Sequence, residues 1–147
     1  MSRRQLDAET RHHVMASIRG RNTKPEMALR SALRTAGVRG YRCHAKELPG
    51  SPDIAFTRWH IAVFVDGVWW HGHPGYFKPG CRGPYWDQKI AGNIERDARV
   101  DDALERMGWH VFRIWDVDVL KSPETAASRI VTLLEEQRIR SNGVSHG

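Results

Sequence analysis

The run of apolar and polar positions predicts a buried strand pair framed by amphipathic helices. From His60 to Asp66 the chain reads Ile-Ala-Val-Phe-Val between its polar ends, with Ile61, Val63 and Val65 on one face and Ala62 and Phe64 on the other. A β-branched-rich run that is apolar on both faces reads as a strand covered on both sides. A shorter apolar run opens at Asp53, directly after the turn signal Pro49-Gly50-Ser51-Pro52. Together they predict a buried hairpin that brings Asp53 and Asp66 towards each other at one edge of a sheet. Gly40 to Ala45 predicts a short preceding strand, and Trp109 to Trp115, alternating by two, a later one.

Helical periods surround these strands. Asp7 could cap a short helix with Val14, Met15 and Ile18 as its apolar positions, inside a basic arm over residues 1–22. Thr23-Lys24-Pro25-Glu26 predicts a second start, with Thr23 as N-cap and Glu26 completing a capping box. Met27, Leu29, Leu33 and Ala36 continue its stripe until Gly37 stops it. A loop rich in Gly and Pro follows His73, then a long helix from about Tyr85 to Met107 with Trp86, Ile90, Ile94 and Leu104 as its buried stripe. On that helix Glu95–Arg99 and Asp102–Arg106 are spaced as ion pairs, and Lys89, Asn93 and Arg96 share another face. A last helix is predicted over about Pro123 to Arg138, with disorder over 141–147. The order α-α-β-β-β-α-β-α implies one α/β domain with a central mixed β-sheet flanked by helices.

Composition narrows the setting. The 147 residues suffice for one domain with a real core. A net charge of +6, from 23 Lys+Arg against 17 Asp+Glu, fits a polyanionic partner but equally plain solubility. The two cysteines, Cys43 and Cys81, are too few for a disulfide framework and point to a reducing cytosol. No stretch has the length and apolarity of a membrane span or a signal peptide, so a soluble, intracellular protein is expected.

The chemistry concentrates between Asp53 and His73. Paired carboxylates at the ends of adjacent buried strands are costly unless they are exposed or share a cation. Magnesium suits such a pair, because it needs one or two carboxylates beside waters and phosphate oxygens. Asp66-Gly67 could equally be an ordinary turn and Asp53 a solvated strand start. His71 and His73 follow the second acid, and an imidazole near neutral pKa can take a proton from an attacking water. The His-x-His pair could also bind zinc, although only Cys81 and His110 offer distant partners. Trp69 and Trp70 are adjacent, and on a strand-like segment they would point to opposite sides. One of them could therefore be exposed to wedge between DNA base steps, or could merely cap the core.

These residues carry a resemblance. The run Leu48-Pro-Gly-Ser-Pro-Asp53, followed by Val63-Phe-Val-Asp-Gly-Val-Trp-Trp-His-Gly-His73, resembles very-short-patch repair (Vsr) endonucleases, nicking members of the PD-(D/E)xK nuclease superfamily. Arg19-Gly-Arg-Asn-Thr-Lys-Pro-Glu26 is similar to that family's N-terminal signature. Tyr85-Trp86 with Lys89, Asn93, Arg96 and Asp97 is similar to its long helix, and Gly108-Trp109 through Trp115 to its closing strand. The likeness covers about residues 8 to 120. It implies a restriction-endonuclease-like core and a Mg²⁺-dependent nick 5′ of the T in a T·G mismatch. Asp53 would be the metal-binding aspartate, helped by the main-chain carbonyl of Val65. Asp66 would lie beside the scissile phosphate and share in metal binding, His71 would be the catalytic histidine, and Glu26 would reach the site from its helix. Trp69, Trp70 and Trp86 would intercalate, with Lys89, Asn93, Arg96, Arg19 and Arg21 also on the DNA. The implied partner is mismatched double-stranded DNA, met by a monomer near the nucleoid, with other repair proteins as further candidates.

The departures carry expectations of their own. The family's structural zinc is held by Cys and His, and cysteines are expected where this chain has Val68, Gly75 and Val117. His73 alone fits a ligand position. The structural zinc is therefore predicted absent, with apolar packing around Val68 and Val117 taking over its role. The superfamily lysine after Asp66 is also missing, consistent with His71 doing the acid–base work. Two alternatives stay open: a restriction-type nuclease acting on fully paired DNA, and a weakened module that binds distorted DNA without cutting it.

Overall fold

The computed structural model describes residues 23–146, with side chains as far as Asn142. The basic arm over 1–22, including the helix after Asp7, Arg19 and Arg21, lies outside the described residues. Helix α1 (Lys24–Thr35) leads into strands β1 (Arg42–Cys43), β2 (Ile54–Phe56) and β3 (Ile61–Asp66). Helix α2 (Pro84–Arg106), strand β4 (His110–Trp115) and helices α3 (Asp116–Lys121) and α4 (Pro123–His146) complete it. The strands form one sheet in the order β1-β2-β3-β4, antiparallel except for the parallel β3–β4 pair. This is an α/β fold with a mixed sheet, consistent with a restriction-endonuclease-like core.

β3 follows its period-two pattern. Ile61 and Val63 join Leu29, Leu33, Ile54, Phe56, Phe112, Ile114 and Ile130 in one core layer, beneath the helices α1, α3 and α4. Ala62 and Phe64 face the other layer, with Ala55, Leu48 and Leu104 of α2. The β3–β4 connection runs through α2, so a crossover carries the chain between two parallel neighbours. Register then places Phe64 opposite Arg113 and Asp66 opposite Trp115. The sequence thus delivers its acid, at the end of β3, next to whatever β4 and α2 project there.

Several expectations change. β1 is two residues long rather than spanning 40–45, and α3, absent from the sequence reading, follows β4 without a break. Helix α4 runs on to His146 instead of stopping at Arg138, so 141–146, expected to be disordered, continues the helix. Extending a helix already packed against the fold costs little per residue. In α1 only Leu29 and Leu33 of the expected stripe are buried. Met27 is 46% exposed, and Ala36 is the C-cap. Thr23 makes no side-chain cap bond, so the capping box does not form. Glu26 turns inward instead, and its interior partners explain why. In α2 the expected Ile90 and Leu104 are buried, but Ile94 is 47% exposed on the rim of a cleft. The helical ion pairs form as spaced, Arg99–Glu95 at 3.6 Å and Arg106–Asp102 at 3.0 Å, both exposed and of small energetic weight.

Candidate active site

Two groups of acids, each with one imidazole, gather about the ends of β2 and β3 where Asp53 and Asp66 stand. In the first, the ligand atoms of Glu26, His44 and Asp53 lie within 4.8 Å of one another. Glu26 comes from the first turn of α1 and is 1% exposed. Asp53 starts β2, and its Oδ2 accepts a 2.7 Å hydrogen bond from the amide of Val65. It is this amide, one residue before Asp66, that ties Asp53 to the next strand. His44 follows β1, with its amide on the Asp53 carbonyl at 3.2 Å. Arg30, one turn after Glu26, donates to Glu26 Oε2 at 3.0 Å. Burial, then the charge and hydrogen bond of Glu26 and the charge of Asp66, push the Asp53 carboxyl up to about 7, against the opposing pull of the Val65 amide.

Those features fit a divalent cation. A buried and a half-buried carboxylate side by side repel one another, and the buried His44 Nε2 has no hydrogen-bond partner among the described residues. It lies 2.9 Å from Glu26 Oε2 but without the alignment a hydrogen bond needs. A cation there would satisfy all three groups at once.

The second group is Asp66, His71 and Asp97. With Arg113, Ile94 and Trp115 they line a cleft of about 220 Å³. His71 Nδ1 bonds to Asp97 Oδ2, which orients the ring and leaves Nε2 facing Asp66 Oδ1 at 3.8 Å. Arg113 donates from one Nη to both oxygens of Asp66 at 3.1 Å, reaches Asp101 at 2.7 Å, and lies 3.8 Å from Asp97. Burial lowers the His71 pKa, but the Asp97 hydrogen bond and the charges of Asp66 and Asp97 outweigh it, so the net shift is upward. Asp66 is raised by burial despite His71 and Arg113.

The expectation that Asp53 and Asp66 share one cation meets a different grouping: each acid has its own imidazole, and Asp66 already carries a guanidinium. Trp69 and Trp70 do not point to opposite sides either. Hydrogen bonds from His71 to Gly67, Gly72 to Trp69 and His73 to Val68 wind this segment into turns. Both indoles then meet Trp86, at 6.1 and 5.6 Å between ring centroids. Arg82 lies over Trp69 and Lys89 over Trp70. Asn93 donates to the Trp70 carbonyl at 3.0 Å, while Arg96 is exposed one turn further along α2. Gly72, at φ +70°, lets the loop lie against α2, where a Cβ would meet Ile94 Cδ1 at 2.6 Å.

The model of the family described as DNA mismatch endonuclease Vsr matches residues 4–76. The type II nicking enzyme V.XorIIP of Xanthomonas oryzae pv. oryzae is 41% identical over 78% of this chain and 85% of its own length. The type II nicking enzyme V.HpaIIP of Haemophilus parainfluenzae is 37% identical over 92% and 99%. The DNA mismatch endonuclease Vsr of Escherichia coli (strain K12) is 34% identical over 95% and 89%. The chain belongs to the Vsr family. As a Vsr-family protein it is a DNA endonuclease, and no helix among the described residues is long and apolar enough to cross a membrane.

In this Vsr-family chain hydrogen bonds join the backbone around Val68 and Val117, where apolar packing was expected. Asp116 Oδ1 accepts from the amides of Val117 at 2.8 Å and Val68 at 3.3 Å, and both valines are only half-buried. His73 Nδ1 accepts from the Gly75 amide, and its ring packs edge-on against Trp115. His44, Arg113 and Asp116 escaped the sequence reading, and Asp97 was noted there without a role. Only Arg113 left a signal in the sequence, as a charge between the buried Phe112 and Ile114 of a strand, whereas His44 meets Asp53 through strand pairing.

Proposed function

We propose that this Vsr-family endonuclease nicks duplex DNA 5′ of the T in T·G mismatches with Mg²⁺, leaving a 5′-phosphate and a 3′-hydroxyl. One observation carries the reading: a largely enclosed Glu26–Asp53 carboxylate pair suited to a cation accompanies a His–Asp pair that lines an open cleft. Asp53 and Glu26 would hold Mg²⁺, with the Val65 carbonyl as a further ligand. Bound there, the ion would neutralise charge that builds on the scissile phosphate. His71, fixed by Asp97, accepts the proton of the attacking water at Nε2. Asp66, held by Arg113, positions that water and is available to the metal. Arg113 keeps a positive charge beside the reacting phosphate. Trp69, Trp70 and Trp86 form the aromatic surface that enters the base stack, while Lys89, Asn93 and Arg96, with Arg19 and Arg21 of the arm, meet the backbone.

The names of the relatives, a mismatch endonuclease and nicking enzymes, support this over a cutter of paired DNA or a non-cutting binder. The test compares nicking of otherwise identical T·G and T·A duplexes with Mg²⁺. Cleavage confined to the T·G duplex is expected, and equal rates on both would overturn the mismatch assignment. Asp53→Ala should lower the rate by far more than about tenfold, and a smaller loss would contradict its metal role.

A further inference from the structure

His44 is the residue of the first group to which the proposed reaction gives no part. It is not glycine, yet its backbone sits at φ 54°, in the left-handed region that residues bearing side chains adopt uncommonly. Its side chain is 14% exposed, and its Nε2 is buried without a hydrogen-bond partner among the described residues. That nitrogen and the carboxylate oxygens of Glu26 and Asp53 converge within 4.8 Å. A purely structural histidine would be expected to bond through both nitrogens, and a strained backbone that delivers an unsatisfied one into an acid pair is unusual. The second group differs here, since Arg113 already supplies its cation.

We propose that His44, through Nε2, is a third ligand of the cation held by Glu26 and Asp53, and that it biases this site towards Mn²⁺ over Mg²⁺. The inference rests on the proposed metal role of Asp53 and Glu26. Mg²⁺ prefers a shell of oxygens, whereas Mn²⁺ accepts carboxylates readily and tolerates imidazole better. An all-oxygen site would leave the choice to size and geometry. One nitrogen moves it along the order in which nitrogen affinity rises.

The experiment uses the full chain, stripped with chelator and free of DNA. Mn²⁺ binding is followed by the loss of the free-ion electron paramagnetic resonance signal, and Mg²⁺ binding by its competition with Mn²⁺. His44→Gln should weaken Mn²⁺ by about tenfold or more while changing Mg²⁺ much less. The Mn²⁺ spectrum of the unmodified chain should also carry a nitrogen hyperfine coupling that survives His71→Gln and vanishes in His44→Gln. That spectrum needs no variant to fold. Bound Mn²⁺ without nitrogen coupling, or equal weakening of both ions by His44→Gln, would overturn the assignment. Asp53→Asn separates the two levels: if it leaves Mn²⁺ binding intact, the Asp53 metal role fails, whatever His44 does.

Discussion

The two groups are built from the same parts, two carboxylates and an imidazole, and differ in where positive charge comes from. In Asp66–His71–Asp97 the protein supplies it. Arg113 reaches Asp66, Asp97 and Asp101, and His71 is anchored on Asp97. In Glu26–His44–Asp53 Arg30 touches Glu26 from the rim, while Asp53 meets an amide and another acid and holds its proton up to about neutral pH. One group is neutralised from within and suited to moving protons. The other has Arg30 on Glu26 as its cationic contact among the described residues, and its Asp53 side is suited to receiving an ion. An imidazole beside carboxylates is thus ambiguous until the nearest fixed cation is located.

Removing that cation should break the contrast most. Arg113→Leu leaves three acids without their guanidinium and should destabilise the fold by on the order of 3 kcal/mol, read as a lower midpoint in denaturant unfolding. It should also raise the His71 pKa, since Arg113 opposes protonation there, and so move the acid limb of the pH–rate profile to higher pH. An unchanged unfolding midpoint would show that the second group does not depend on Arg113.

Next in size is Asp97→Asn. The net upward shift of His71 comes from the Asp97 hydrogen bond and from the charges of Asp66 and Asp97, working against burial. Losing the bond and one of those charges should move the acid limb to lower pH and reduce the plateau rate by about tenfold or more, because the ring is no longer held in one tautomer. A plateau unchanged within about twofold would remove Asp97 from the proton path.

The smallest expected effect probes the first group without metal. Asp53 titrates near 3.8 when unfolded and near 7 when folded, so the folded chain binds the extra proton and its stability falls as pH rises through that window. Asp53→Asn abolishes this penalty. With chelator present, its melting temperature should exceed that of the unmodified chain by a few degrees at about pH 8, with the gap narrowing as pH falls below 7 and closing only below about pH 4. A gap that widens on acidification would reverse the sign and show that Asp53 is not held protonated in the folded chain.

How much was legible in advance follows from what is local and what is not. The faces of β3 and the extent of α2 were readable, because period two and period 3.6 belong to the segment itself. Asp53, Asp66 and His71 stood out as candidates within their own segment, and Glu26 only through the family resemblance. The partition of that set was not readable, since it depends on which strand lies opposite which. His44 joins Asp53 through the β1–β2 register, and Arg113 reaches Asp66 through the β3–β4 register. Glu26 reads locally as a cap, and only the acids and His44 behind it explain its inward turn. Helix α3 stayed hidden because its six residues begin as β4 ends, with no glycine or proline to mark the change.

Gly72 has a wider bearing. A methyl at that position would collide with Ile94 and press on Ile90, so the turn holding the indoles and His71 rests on α2 across a gap one hydrogen wide. Asp97, which orients His71, stands on that same helix. The reach between the indoles and the His71 ring is therefore gauged by a missing carbon, and a helix that shifts must carry both with it.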